Sequence, residues 1–180
     1  MKKRIFRAVL RILGWRVTVT EPDYPKCVVC VAPHTSNWDL FLGKLAYGSI
    51  GRRAGFLMKR EWFFFPLNLL WRCMGGVPVD RRASTSLTDQ IADRFARSEH
   101  LNIAITPEGT RKANSNWKLG FYYIALKAQV PVALAYIDYA EKCIGLTKTV
   151  FPSGDIEKDM AEIKDYYRGR QGRHPENFTL

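Results

Sequence analysis

The sequence predicts a single α/β domain built on a largely parallel sheet, with an amphipathic helix placed ahead of it. Short runs rich in β-branched and other apolar residues alternate with segments of helical periodicity from residue 16 onward, which is the pattern of βαβ units. The 180 residues suit one domain with a real hydrophobic core. Hydrophobic residues make up 47% and charged residues 25%, an ordinary globular composition that excludes a disordered chain.

Residues 1–15 (MKKRIFRAVLRILGW) repeat apolar side chains at helical spacing, namely Ile5, Phe6, Val9, Leu10, Ile12 and Leu13. Lys2, Lys3, Arg4, Arg7 and Arg11 are interleaved with them. A basic amphipathic helix of this kind either lies on an anionic membrane surface or packs on the domain with its charges solvated. The α/β domain itself is expected over 16–168, followed by a loosely ordered tail at 169–180. Within the domain, 16–20 (RVTVT) alternates as a short strand and 27–32 (CVVCVA) reads as a buried one. Residues 37–50 read as a helix and 55–59 (GFLMK) as a strand. The aromatic-rich stretch 61–74 is partly helical and broken at Pro66. A strand at 76–80, a helix at 86–100, a strand at 101–106, a helix at 118–129 and a strand at 130–138 follow. A further strand is expected at 148–152 (KTVFP), then a last helix at 155–170. There is no internal repeat, linker or low-complexity segment.

Charge is the unusual feature of the composition. Lys and Arg number 28 against 17 Asp and Glu, leaving +11. Such an excess points to a polyanion, either nucleic acid or the anionic face of a bilayer. Cys27 and Cys30 form a C-x-x-C, but on a strand two thiols three positions apart face opposite ways. No second pair has metal-ligand spacing, so reduced core thiols in a cytoplasmic protein are expected and no metal. No apolar run reaches the roughly 20 residues of a spanning helix. Arg7 and Arg11 interrupt the apolar stretch that a signal peptide needs.

Ligands of open α/β sheets bind where chain leaves the carboxyl ends of strands. Three such segments carry chemistry: PHTSNWD after 27–32, DRR at the end of 77–80, and PEGTR after 101–106. Parallel strands would bring all three to one edge. His34 precedes a helix start at which Ser36 can cap, and Asp39 then falls in the first turn with its carboxylate able to fold back on the loop. The pair suits a general base held by a carboxylate, and Asp39 suits equally a capping box. In PEGTR, Glu108 offers a carboxylate, Gly109 close backbone approach, Thr110 a hydroxyl and Arg111 a guanidinium. Arg111 and Arg81 match phosphate oxygens bidentately, whereas Arg82 reads as a solvated neighbour. Glu108 either binds a substrate hydroxyl or pairs with one of these arginines. Neither Ser36 nor Cys30 is placed as an activated nucleophile, which favours direct attack by an external hydroxyl over an acyl-enzyme.

Taken together, these blocks resemble a glycerolipid acyltransferase of the lysophosphatidic acid acyltransferase type. That family carries His-x4-Asp, matched from His34 to Asp39, then a glycine-rich strand ending in arginine, matched from Gly75 to Arg81. Its Glu-Gly-Thr-Arg block is present from Glu108 to Arg111, and its hydrophobic strand with proline resembles 130–132 (VPV). The blocks stand in family order across residues 27–138. The resemblance implies a mixed central sheet flanked by helices and a reaction that uses no cofactor beyond acyl-CoA or acyl-carrier protein as co-substrate. His34 would deprotonate the hydroxyl of a lysolipid acceptor, with lysophosphatidic acid the leading one, and Asp39 would orient His34. Arg81 and Arg111 would hold the acceptor headgroup, with Glu108, Gly109 and Thr110 shaping its site. Lys59 is a candidate for the oxyanion, and the aromatic stretch 62–65 either lines an acyl groove or serves as core. Work in phospholipid biosynthesis from the cytoplasmic face of a membrane, as a peripheral protein, follows from the same resemblance.

Three other readings remain open at this level. A nucleic-acid module is disfavoured because the basic residues form no single stripe, and no nucleic-acid partner is expected. A hydrolase would use the same His34–Asp39 pair on water, and a non-catalytic lipid binder would not need it. The chain is short for the family, which leaves open other acceptors such as acylated amino acids.

Overall fold

In the computed structural model, which describes residues 2–80 and 86–180, strands and helices alternate along one sheet. The strands are β1 (Arg16–Val19), β2 (Lys26–Ala32), β3 (Gly55–Lys59), β4 (Gly76–Val79), β5 (Leu101–Ile105), β6 (Val132–Asp138) and β7 (Cys143–Val150). The helices are α1 (Lys2–Ile12), α2 (Trp38–Ile50), α3 (Leu67–Cys73), α4 (Leu87–Ala96), α5 (Gly120–Ala128) and α6 (Ile156–Tyr166). Single 3-10 turns occur at Arg60–Trp62 and Pro175–Asn177. Across the sheet the order is β1-β7-β6-β2-β5-β3-β4. Strands β2 to β6 are parallel, β7 runs antiparallel to β6, and β1 runs parallel to β7. The sheet is therefore mixed and largely parallel, as expected from the sequence.

Burial on both faces explains why the central strands read as continuous apolar runs. In β2, Val28, Cys30 and Ala32 join a core built with Ile91 and Phe95 of α4, Phe121 and Ile124 of α5 and Ile163 of α6. Cys27 and Val29 point the other way, and Val31 packs with Leu42 and Ala46 of α2 and Leu10 of α1. All seven residues of β6 are buried between the same two layers. Burying each large aliphatic side chain there contributes about 1.5–3 kcal/mol before chain entropy is subtracted. The two thiols thus sit on opposite faces, and burial pushes both up to about 12, where they stay protonated and unreactive.

Helix ends follow local chemistry. Ser86 caps α4 by accepting from the Asp89 N–H, and Asp155 caps α6 by accepting from the Lys158 N–H. Gly51 ends α2 in the left-handed region at φ 80°, where a side chain would be strained.

Two expectations need correction. The strand expected at 148–152 begins earlier, at Cys143, because it pairs along its length with β6 across a bulge at Leu134/Ala135. The tail is packed rather than loose: Tyr139 N–H donates to the Gln171 carbonyl at 2.9 Å, and His174 N–H donates to Thr35 Oγ1 at 3.2 Å. Gly172 lies against Thr35 so closely that a Cβ there would come within 2.6 Å of Oγ1. Trp117 Nε1 donates to the Thr179 carbonyl, and Phe178 and Leu180 rest on the main core. Polar composition hid these contacts, since they are made largely by backbone. Helix α1 divides its apolar residues between the domain and solvent. Leu10 is 2% exposed among Leu42, Ala46, Ile137 and Ile144, and Phe6 fills the space over Gly48. Ile5, Ile12 and Leu13 stay outside, with Ile12 84% exposed. Among the described residues, no helix is long and apolar enough to cross a membrane.

Candidate active site

Because β2, β3, β4, β5 and β6 run the same way, the loops after them open on one edge of the sheet. β2 is central, between β5 and β6, and the segment after it carries His34. Helix α2 begins at Trp38 after Asn37, one residue later than the sequence suggested. Ser36 still acts at the helix start, its hydroxyl accepting from the Trp38 N–H at 3.2 Å. This puts Asp39 in the first turn, where its carboxylate folds back on the loop.

The Asp39 side chain is buried and its two oxygens have different partners. Oδ2 accepts from the Thr35 N–H at 3.0 Å and the Ser36 N–H at 2.9 Å, and stands 3.1 Å from His34 Nδ1. Oδ1 accepts from the Tyr139 hydroxyl at 2.7 Å. Asp39 is therefore both the loop's cap and the imidazole's partner, so the two alternatives left by the sequence coexist. With Nδ1–H directed at the carboxylate, Nε2 carries the free lone pair. The His34 side chain is 23% exposed, so an incoming hydroxyl can reach it.

Glu108 leaves β5 on the neighbouring strand and is 2% exposed. It pairs with no arginine among the described residues. Instead its Oε1 accepts from the His34 backbone N–H at 2.9 Å, which ties the β5 loop to the β2 loop. Oε2 is buried without a hydrogen-bond partner among the described residues. Burial lifts this carboxyl to about 7, the Asp39 charge adds to the lift, and the His34 N–H opposes it. The raised value makes a prediction about stability. The neutral form is favoured in the fold, so its contribution is full below the ordinary value of 4.5 and is lost as pH rises to about 7. Glu108→Gln keeps an acceptor for His34 and cannot ionise. Thermal melts at stepped pH are expected to show wild type losing stability across that window, by a few kcal/mol at most, and the variant losing much less. Parallel curves for the two proteins would remove the buried-carboxyl account.

Gly109 takes a left-handed φ of 67° and turns the chain outward, exposing Thr110 and Arg111. Thr110 Oγ1 accepts from the Lys112 N–H, an ordinary local turn contact. The Arg111 guanidinium donates to Asn37 Oδ1, which seats it at the entry of α2 beside the His34 loop. Lys59 closes β3 with an exposed side chain and makes no hydrogen bond to His34 or Glu108. Arg81 and Arg82 lie outside the described residues. The aromatic stretch resolves toward the surface: Trp62, Phe64 and Phe65 are all exposed, Phe65 by 78%, in the connection after β3. Its core alternative is thus removed for these three side chains. Tyr139 was not found from sequence, because its partner is 100 positions away and a tyrosine at a strand end carries no motif.

The described geometry comprises a buried carboxylate, an imidazole with one accessible nitrogen, a second buried carboxyl and a guanidinium at one sheet edge. Comparison with known proteins shows the family to which a chain of this fold belongs. The acyltransferase family matches residues 16–138. Human 1-acyl-sn-glycerol-3-phosphate acyltransferase beta is 30% identical over 160 residues, covering 83% of this chain and 56% of the human protein. The chain thus spans little more than half the length of that relative. The crystal structure of the 1-acyl-sn-glycerophosphate (LPA) acyltransferase PlsC from Thermotoga maritima has a similar fold. The TM-score is 0.61 at 20% identity, covering 91% of this chain and 74% of that one.

Proposed function

This chain belongs to the acyltransferase family, and on that premise we propose that it moves a fatty acyl chain from a thioester to the hydroxyl of a lysolipid, with lysophosphatidic acid as the leading acceptor. The observation that carries the reading is the His34–Asp39 pair, with Nδ1 held 3.1 Å from Oδ2 and Nε2 left accessible. In the proposed reaction, Nε2 takes the proton of the acceptor hydroxyl as its oxygen attacks the thioester carbonyl. The C–S bond then breaks, the new ester remains on the lipid, and the thiolate collects the proton from the imidazolium. Asp39 keeps its charge throughout and stabilises that imidazolium. Arg111, and Arg81 from the block after β4, are the proposed headgroup ligands, because guanidinium and phosphate match bidentately. Acyl-CoA and acyl-carrier protein are the proposed donors, with no cofactor required.

An anionic membrane surface is the proposed partner. The net charge of +11 favours it, as do the exposed Ile5, Ile12 and Leu13 set among the basic residues of α1. The exposed Trp62, Phe64 and Phe65 add aromatic side chains suited to a bilayer interface. A peripheral placement at the cytoplasmic face follows from the same argument. The test incubates purified protein with labelled acyl-CoA and lysophosphatidic acid presented in vesicles. Labelled phosphatidic acid is the expected product, formed faster on anionic than on neutral vesicles. Free fatty acid without acylated lipid would instead assign the pair to hydrolysis.

A further inference from the structure

We infer that Tyr139 is a positioning residue for the His34–Asp39 pair, its hydroxyl holding the Asp39 carboxylate in the plane that the imidazole needs. The inference rests on the acyl-transfer reading for its kinetic consequences, and on geometry alone for its structural ones. Asp39 Oδ2 is shared among three donors, two backbone N–H groups and the imidazole. Oδ1 has the Tyr139 hydroxyl at 2.7 Å and no other partner among the described residues. A carboxylate anchored through one oxygen can swing about its own bond, and each swing moves Oδ2 away from Nδ1. A donor on the opposite oxygen stops that motion. Burial and the Asp39 charge both push the phenol up, so it remains a donor at any pH the enzyme meets.

Tyr139 is itself held from two sides. The Trp15 ring meets it edge-on, with centroids 5.0 Å apart at 90°. Its backbone N–H donates to Gln171 in the C-terminal segment. The residue stands one position beyond β6, the strand that borders β2, so the sheet fixes its distance from the His34 loop. The other ionisable groups around the pair are Glu108 beside the His34 backbone, Arg111 against Asn37, and Arg173 over the Trp38 ring and near Tyr139. None of them takes the place of a donor on Oδ1.

The test is Tyr139→Phe, which keeps the ring against Trp15 and removes only the hydroxyl. We expect kcat to fall about tenfold with both KM values unchanged, the size of losing one hydrogen bond to a charged group. The loss should nearly vanish in an Asp39→Asn background, since a residue acting through Asp39 has nothing left to act on. The His34 Nδ1–H resonance, followed by NMR without substrate, should move upfield in Tyr139→Phe, because a carboxylate free to swing holds that proton less well. A wild-type kcat, or an equal loss in both backgrounds, overturns the inference. If the wild-type protein transfers no acyl group, the functional reading falls, and the Nδ1–H resonance still decides the positioning: an unmoved resonance in Tyr139→Phe overturns it. Should Tyr139→Phe not fold, Trp15→Phe keeps the hydroxyl but loosens the ring. That variant is expected to lose kcat a few-fold at unchanged KM, and an unchanged kcat would count against the role.

Discussion

His34→Ala is expected to lower acyl transfer by about 10²–10⁴-fold, the usual range for removing a general base. The fold should survive. The backbone N–H of residue 34 still reaches Glu108, and the imidazole's only hydrogen bond among the described residues is to Asp39, which keeps three other donors. The melting temperature should therefore stay close to wild type, and so should the KM for acyl-CoA, because the base touches the acceptor hydroxyl rather than the thioester's carrier. Initial rates on vesicle-borne lysophosphatidic acid, with a thermal melt of each preparation, provide the check. Near-normal turnover in a folded variant would remove His34 from the mechanism and leave the family membership without this assignment of its chemistry.

The residues of this site differ in how readily the sequence disclosed them. His34 and Asp39 were legible because the spacing that brings an imidazole onto a first-turn carboxylate is local, and a helix start can be read from Ser36 and the apolar run after it. Glu108 and Arg111 were legible as chemistry, but their partners were not. The sequence offers Glu108 as an ion-pair partner or a hydroxyl ligand, and in the fold it accepts a backbone N–H from the loop after β2, 74 positions earlier. Buried strands β2 and β6 announced themselves through continuous apolar runs. The direction and length of β7 did not, because GLTKT mixes small and polar residues on an edge-side strand that only half needs to be apolar. The first strand pairs with β7 across more than a hundred residues, a non-local choice no short pattern encodes. The packing of the C-terminal segment is hidden for a related reason: its contacts to Thr35 and Tyr139 use backbone atoms and the missing side chain of Gly172.

Asp39 tests whether charge or shape matters at this site, because two substitutions separate them. In Asp39→Asn the amide oxygen can take the Oδ2 position and accept from Thr35 and Ser36, while the amide N–H turns to Tyr139, whose hydroxyl reverses to accept. The loop stays capped and His34 keeps a neutral acceptor at Nδ1, so the lost quantity is the negative charge. Transfer is expected to fall by about 10²–10⁴-fold, since the imidazolium formed in the reaction loses its counter-charge. The melting temperature should move little. Asp39→Ala removes the acceptor altogether and leaves the Thr35 and Ser36 N–H groups and the Tyr139 hydroxyl without it in a buried setting. At about 1–3 kcal/mol for each buried donor left unpaired, the cost is about 3 kcal/mol or more. That corresponds to a melting temperature lower by roughly 6–12 °C or more for a chain of this size. Rates and melts of both variants distinguish the two contributions. An Asn variant that melts as low as the Ala variant would mean that the carboxylate's role is mainly to hold the loop. An Asn variant with wild-type turnover would mean that the imidazole works without its counter-charge.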